Sequence, residues 1–151
     1  MTTATIAKSQ VVALLLEASP SARPAWEKHL ASWKGEQAGD FNDVAVFAHH
    51  IVDCYAKGAT AEYGALFATL ERILREGDGE ARRLAAFGVL EDIQTLASHQ
   101  PFGPDAFVGW LGPTSHEAWD EIATLWRSGG GSLAGVVRFE RSFQPRRTRS
   151  S

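Results

Sequence analysis

Apolar side chains recur every three or four residues along most of the chain, which is the spacing of one face of an α-helix. The first such stretch runs from Thr5 to Ala18 and is expected to end at Ser19–Pro20, because a residue before proline avoids the helical region. Pro24 suits the first turn of a second helix, which is expected to end at Gly35. The large apolar positions of that helix are Trp26, Leu30 and Trp33.

The middle of the chain predicts two longer helices. Asp40 is expected to cap the third helix and Gly58 to end it. Its apolar positions step by three and four residues: Phe41, Val44, Ala48, Ile51 and Tyr55. Thr60 is expected to cap a fourth helix in the same way. One face of that helix carries Tyr63, Leu66, Phe67, Leu70, Ile73 and Leu74.

A fifth helix is predicted from about Glu80 to Ser98, and its middle is apolar on most sides, which is typical of a helix at the centre of a bundle. Proline and glycine at 101–104 then break the chain before a short helical turn over 105–110. The last helix is expected to start at Thr114, which has the spacing of a capping box with Glu117. Its predicted buried stripe is Ala118, Trp119, Ile122, Leu125 and Trp126.

These elements predict an all-α fold, a single-domain antiparallel bundle of about six to seven helices over residues 1–127, since short turns join neighbouring helices. Residues 128–151 are expected to form a separate, flexible C-terminal tail. Within it, glycines at 129–131 suggest a hinge, 132–139 a short strand or a docked extended arm, and 140–151 a disordered basic end rich in Arg and Ser.

The composition also indicates the cellular compartment of the protein. The chain has 151 residues, 44% of them hydrophobic and 22% charged, as in an ordinary globular protein. A single cysteine, Cys54, cannot form an internal disulfide, which fits a reducing compartment. The apolar run 11–16 is shorter than a signal-peptide core or a membrane span. We therefore expect a cytoplasmic protein without a membrane partner.

Charge is divided unevenly along the chain. Residues 1–137 hold 10 basic and 17 acidic residues, a net charge of −7, whereas 138–151 hold five Arg and one Glu, a net charge of +4. The simplest interpretation of this division is a solvated acidic body with a disordered basic end. The alternative is that the acidic body meets a basic protein partner, because complementary fields speed encounter. The charge disfavours nucleic-acid binding by the body, whereas the basic end alone could contact an anionic surface. The predicted partner-binding face consists of acids on the fifth and last helices: Asp92, Glu117, Asp120 and Glu121.

One candidate for chemistry is the segment HHIVDC at 49–54. On a helix, His49 and Asp53 share a face, and His50 also neighbours Asp53. A catalytic zinc site needs three protein ligands, so a further ligand would have to come from Glu71, Glu91, His99 or His116. The favoured interpretation is structural: Asp53 partners a histidine at the edge of the bundle and Cys54 is a small core residue. No metal, cofactor or catalytic residue is predicted.

A second candidate is the acidic pair Glu91 and Asp92 in the apolar fifth helix. Glu91 lies in line with Gly88, which is expected to permit a close helix crossing. A buried acid must be paired or solvated. We therefore expect Glu91 to accept hydrogen bonds from backbone amides near Gly112 or to pair with an arginine. The alternative is that Glu91 is a general base or a ligand.

The second half of the chain carries a set of short motifs that together resemble an uncharacterised family of small bacterial domains of unknown function. The family pattern reads as an "iE-ll-egd" helix end, a "g-LE-lqn" helix and a closing "LGP-S-W-W" element. The matching residues are Glu71, Leu74, Glu76–Gly77–Asp78, Gly88, Leu90–Glu91, Gln94, Leu111–Gly112–Pro113, Ser115, Trp119 and Trp126. The resemblance covers about residues 10–127. The chain departs from it at Thr95, where an Asn-like residue is expected, and in the segment after Trp126.

The resemblance implies an all-helical bacterial cytoplasmic protein and brings no catalytic residues to transfer. Small families of this kind often resemble the immunity proteins of toxin–immunity pairs. The leading hypothesis is thus a non-enzymatic protein-binding module, in its specific form an immunity-type protein that neutralises a partner toxin. Two alternatives stay open: a homo-oligomeric structural protein, and a metal-dependent hydrolase that uses His49, His50 and Asp53 with Glu91.

Overall fold

A computed structural model describes residues 5–127 of the chain, apart from the side chain of Trp126. Its α-helices are α1 (Lys8–Ala18), α2 (Arg23–Ser32), α3 (Asp40–Ala56), α4 (Tyr63–Glu76), α5 (Gly79–Arg83), α6 (Glu91–Ser98) and α7 (Pro113–Arg127). A π-helical segment, Leu84–Leu90, joins α5 to α6, and 3-10 segments occupy Pro20–Ala22 and Pro104–Trp110. The predicted all-α class and helix number are confirmed. The predicted hinge, arm and tail at 128–151 lie outside the described residues.

The predicted fifth helix is a composite of α5, the π-helical segment and α6, which follow one another without a break. It packs along α3, and Gly88 lies at the crossing. A Cβ atom at position 88 would overlap Cγ2 of Val44 and would lie 3.4 Å from Cδ1 of Phe41. Glycine is therefore what allows the two helices to approach, and the predicted close crossing is confirmed.

A single apolar core fills the space between these helices. The apolar face predicted for α4 is buried throughout, and the stripe of α7 is buried at Ala118, Trp119 and Ile122. The largest fully buried side chains are Tyr63, Phe47, Phe67, Phe107, Leu15, Ile51, Leu66, Leu70, Ile73, Leu90, Ile93 and Ile122. None of the helices within residues 5–127 is both long enough and apolar enough to cross a bilayer.

The start of the chain differs from the prediction, because α1 begins at Lys8 and not at Thr5. Ile6 instead forms an isolated parallel bridge with Gly77. The amide of Ile6 donates to the carbonyl of Glu76 at 2.9 Å, and the amide of Asp78 donates to the carbonyl of Ile6 at 2.8 Å. Asp78 also caps α5, because its side chain accepts the amide of Ala81 at 2.8 Å. The turn at 76–78 therefore fastens the N-terminal segment and starts a helix.

Three predicted caps are wrong in detail. Asp40 is the first residue of α3, and Gly39 takes the cap position with a φ of 95° that glycine tolerates. The helix α4 begins at Tyr63, three residues after Thr60. Thr114 lies inside the first turn of α7, which begins at Pro113. The amide of Thr114 donates a hydrogen bond to a carboxylate from another helix, so it cannot complete a capping box with Glu117.

Candidate functional site

The carboxylate that holds the start of α7 is Glu71, a buried residue of α4. Its Oε2 accepts the amide of Thr114 at 3.1 Å, and its Oε1 accepts the amide of Ser115 at 2.8 Å and the hydroxyl of Ser115 at 2.9 Å. Gly112 makes room for this approach, because a Cβ atom there would lie 2.6 Å from Oε1 of Glu71. The expectation that Glu91 accepts amides near Gly112 is therefore wrong: Glu71 does so.

Two opposing effects set the charge state of Glu71. Burial alone would raise its pKa, but the hydrogen bonds from Ser115 and Thr114 favour the charged form more strongly, so the pKa lies below its ordinary value. A carboxylate at the N-terminus of a helix also complements the helix dipole. Its three hydrogen bonds to Thr114 and Ser115 make Glu71 a tertiary cap of α7.

Glu91 and Asp92 lie half-buried at the start of α6. Burial raises the pKa of Glu91, and the negative charge of Asp92 raises it further. Burial also raises the pKa of Asp92, although His49 on α3 opposes that rise. The predicted pairing of Glu91 with an arginine is not found among residues 5–127, so this acid keeps contact with water.

The predicted acidic face divides into two parts. Glu117, Asp120 and Glu121 are exposed together on α7, where Asp120 lies 3.2 Å from Nδ1 of His116. Asp92 lies elsewhere. Gln94, two residues later on α6, faces α7 and donates to the carbonyl of Trp119 at 2.9 Å. Residues two positions apart on a helix point to opposite sides, so Asp92 faces α3. A binding role for these four acids stays a prediction.

The structure separates the three residues of the candidate metal site. His49 and Asp53 are exposed on α3, whereas His50 is half-buried. Within residues 5–127 no hydrogen bond or ion pair joins Asp53 to a histidine, although the negative charge of Asp53 partly opposes the effect of burial on the pKa of His50. His50 instead contacts the hydroxyl of Ser21 at 2.9 Å and the sulfur of Cys54 at 3.4 Å through Nε2. No three His, Cys, Asp or Glu side chains between residues 5 and 127 lie close enough to hold a metal ion.

A polar cluster that the sequence did not predict joins three elements around His50. The hydroxyls of Ser19 and Ser21 donate to Oε1 of Glu62 at 2.6 and 2.5 Å. In a serine hydrolase the acid orients the histidine, and the histidine takes the serine proton. In this protein Glu62 accepts the proton of Ser21 directly. Burial lowers the pKa of His50. The cluster therefore fastens the 3-10 segment at 20–22 to α3 and to the start of α4.

A concave surface lies between α2 and α3. One cavity of about 430 Å³ is bounded by Ala25, His29, Trp33, Asn42, Ala45, Val46, His49, His50 and Asp53. A second cavity of about 290 Å³ is bounded by His29, Leu30, Trp33, Glu36, Gln37, Ala38, Gly39, Asp40 and Asp43. The two cavities share His29 and Trp33, so they form one continuous surface, which we call the α2–α3 groove.

A row of rings holds Trp33 in the groove. Trp26 stacks on Phe47 of the core with 6.1 Å between ring centroids, and on His29 with 5.5 Å. His29 lies 6.4 Å from Trp33. Nε2 of His29 is also 2.9 Å from Oδ1 of Asp43 on α3. This pairing fixes α2 against α3 and leaves Trp33 at the rim.

The helix α2 contains no buried residue, although its spacing of Trp26, Leu30 and Trp33 resembles a buried stripe. Leu30 is 51% exposed and Trp33 is 38% exposed. Phe41, at the start of α3, is 43% exposed and lies under the guanidinium of Arg83 at 5.5 Å. Spacing alone cannot separate an exposed apolar side chain from a buried one.

Comparison with known proteins shows the family of the chain. No curated protein and no solved structure matches it. A family model does match, over residues 12–127, and it includes both the Glu71 cap and the α2–α3 groove. The resemblance drawn from the sequence motifs is thus confirmed at the level of an uncharacterised domain family. The chain belongs to the family described as Domain of unknown function (DUF7674).

Proposed function

We propose that this protein is a non-enzymatic protein-binding module and that the α2–α3 groove is its binding surface. The observation that carries the proposal is the exposure of Leu30 on α2, a helix that buries none of its residues, and of Trp33 directly after it. Exposed large apolar side chains beside a concave surface are typical of protein interaction sites, and tryptophan is enriched at their energetic centres. The ring row from Trp26 to Trp33 orders the site before binding, which reduces the entropic cost of association.

The geometry of the polar side chains supports a non-enzymatic role. Glu62 accepts the protons of Ser19 and Ser21, and His50, 2.9 Å from the Ser21 hydroxyl, is not oriented by an acid as in a serine hydrolase. Burial raises the pKa of Cys54, which keeps it a thiol beside His50. Glu71 is occupied by three hydrogen bonds to the start of α7.

The specific form of the proposal is an immunity-type protein of the bacterial cytoplasm, which binds a basic toxin and covers its active surface. The acidic body, with a net charge of −7 over residues 1–137, supports a basic partner. Two surfaces compete for this role: the α2–α3 groove, and the predicted acids Asp92, Glu117, Asp120 and Glu121.

Affinity capture with the full chain separates the two surfaces. The bait is presented in three forms: wild type, Leu30→Ala/Trp33→Ala, and a variant with lysine at positions 92, 117, 120 and 121. We expect one stoichiometric partner, retained by the lysine variant and weakened at least tenfold by the double alanine variant. Loss of the partner only in the lysine variant would overturn the groove and favour the acidic face.

Self-association is the competing outcome for the same surface. Light scattering on the wild type and on Leu30→Ala/Trp33→Ala measures it directly. We expect a monomer in both cases. A dimer that the double variant dissociates would show that the groove joins two copies of this chain, and the protein would then be a homo-oligomer and not a module for another protein.

A further inference from the structure

The α2–α3 groove has a charge pattern that specifies its ligand further, given that the proposed function holds. Among the described residues that line its two cavities there are four carboxylates, from Glu36, Asp40, Asp43 and Asp53, and no Lys or Arg. With histidine neutral, the lining therefore carries negative charge only. Its apolar part is centred on Trp33, which borders both cavities.

Two of these carboxylates already have side-chain partners. Asp40 lies 3.3 Å from Nζ of Lys8, and Asp43 pairs with His29. Glu36 and Asp53 have no ion pair within residues 5–127, and both are exposed. Glu36 borders the cavity beside Leu30, and Asp53 borders the cavity beside His49, so the two free charges lie in different cavities with Trp33 in both.

We propose that the α2–α3 groove binds a basic segment of the partner protein, with one cationic side chain at Glu36 and a second at Asp53. Trp33 borders both cavities, and its partly exposed ring can attract the cationic group of an arginine or lysine by a cation–π contact. An arginine suits this surface better than a lysine, because its planar guanidinium stacks on a ring and pairs with a carboxylate at once.

The length of α3 gives the scale of the separation between the two cavities. Asp43 borders one cavity and Asp53 the other, and the helical stretch between them is about 15 Å long at 1.5 Å rise per residue. An extended chain covers that distance in about five residues. The proposed ligand is therefore a short extended segment with two arginines that flank about four small residues, or a helix with arginines on one face.

The probe that tests this is a capped peptide with two arginines separated by four alanines, titrated into the full chain. The indole ¹H–¹⁵N resonance of Trp33, assigned by its loss in Trp33→Phe, reports on the groove, and that of the buried Trp119 serves as reference. We expect a saturable shift at Trp33 and none at Trp119. The same peptide with citrulline in place of arginine has nearly the same shape without the charge, and we expect it to bind at least tenfold more weakly.

Variants of the chain complete the test. We expect Glu36→Gln/Asp53→Asn to weaken the arginine peptide at least fivefold, and Asp105→Asn, an exposed acid that does not line the groove, to leave it unchanged. Equal binding of the citrulline peptide, or equal binding by the double variant, would overturn the proposal. If replacing the five arginines at 138–151 by glutamine moves the Trp33 resonance, the occupant is the basic end of this same chain and the external ligand is rejected.

Failure of this inference is distinguishable from failure of the proposed function. A captured partner that depends on Leu30 and Trp33, with no charge-dependent peptide binding, would keep the binding module and reject its basic ligand. No captured partner and no peptide binding would reject both.

Discussion

The junction between α4 and α7 and the groove between α2 and α3 use acids and tryptophans in opposite ways. At the junction, Glu71 is buried and hydrogen-bonded, and Trp119 is 4% exposed. In the groove, Asp53 is exposed without an ion pair in the described chain, and Trp33 is 38% exposed. The same residue types thus stabilise the fold in one region and face water in the other.

The motifs that suggested the family lie in buried contacts between helices, as at the junction between α4 and α7. Glu71, Gly112 and Ser115 form one contact, Gln94 bonds to the carbonyl of Trp119, and Gly88 lies against Val44. These residues explain the motifs as requirements of packing and helix capping. The groove lies outside them, which is where we expect the function of this chain to be found.

The two tryptophans give the largest expected contrast. We expect Trp119→Ala to reduce the free energy of unfolding by about 3–5 kcal/mol, as truncation of a buried tryptophan does. Trp33→Ala is expected to reduce it by no more than about 1 kcal/mol, because the ring is partly in water already. Urea unfolding of both variants checks this. Comparable losses would mean that Trp33 is a core residue, and the comparison would fail.

Removal of the Glu71 carboxylate is the next largest effect. In Glu71→Ala the amides of Thr114 and Ser115 lose a charged acceptor, and we expect a loss of about 3 kcal/mol in stability. The exposed Glu121→Ala on α7 is the control, with a change within about 0.5 kcal/mol. A loss below 1 kcal/mol in Glu71→Ala would mean that water replaces the cap.

Acid should weaken the same contact. The pKa of Glu71 in the folded protein lies below its ordinary value of 4.5, so the unfolded chain binds the proton more readily. Its stabilising contribution is therefore complete above that ordinary value and is lost as the pH falls through the folded pKa. We expect a smaller loss of stability on acidification in Glu71→Gln than in the wild type. Parallel pH profiles would contradict this.

A pair of glycines gives the smallest effect and the sharpest control. Gly88→Ala adds a Cβ atom that overlaps Val44, and we expect a loss of about 1–2 kcal/mol despite the better helix propensity of alanine. Gly64→Ala, in α4, has no atom within 4 Å of the added Cβ, and we expect no loss or a gain of up to about 1 kcal/mol. Thermal unfolding of both variants distinguishes them. Equal effects would remove the close approach of α3 as the reason for Gly88.

The sequence predicted most of the helices because periodicity records which side chains avoid water. The stripes of α4 and α7 and the close crossing at Gly88 were readable on that basis. Helix starts were less readable. Asp40, Thr60 and Thr114 are good capping residues by type, yet local type does not show that Glu71 reaches the amides of α7 from 43 positions away in the chain.

The candidate site was harder to predict than the fold. The sequence drew attention to His50, but its hydrogen-bond partners in the described chain are Ser21 and Cys54, and Asp53 acts on it only through its charge. The α2 stripe was visible, but its exposure was not, because the pattern of an apolar face is the same whether a partner comes from the same chain or from another.

By itself the sequence determined an all-α domain, its family motifs and an acidic body, since these depend on local spacing and on the count of charges. Only the tertiary structure decided which acid caps α7, which tryptophan faces water and which side chain partners His50. Those outcomes depend on the packing of residues far apart in the chain. The exposure of Trp33 and the hydrogen bonds that Glu71 accepts are the two clearest examples.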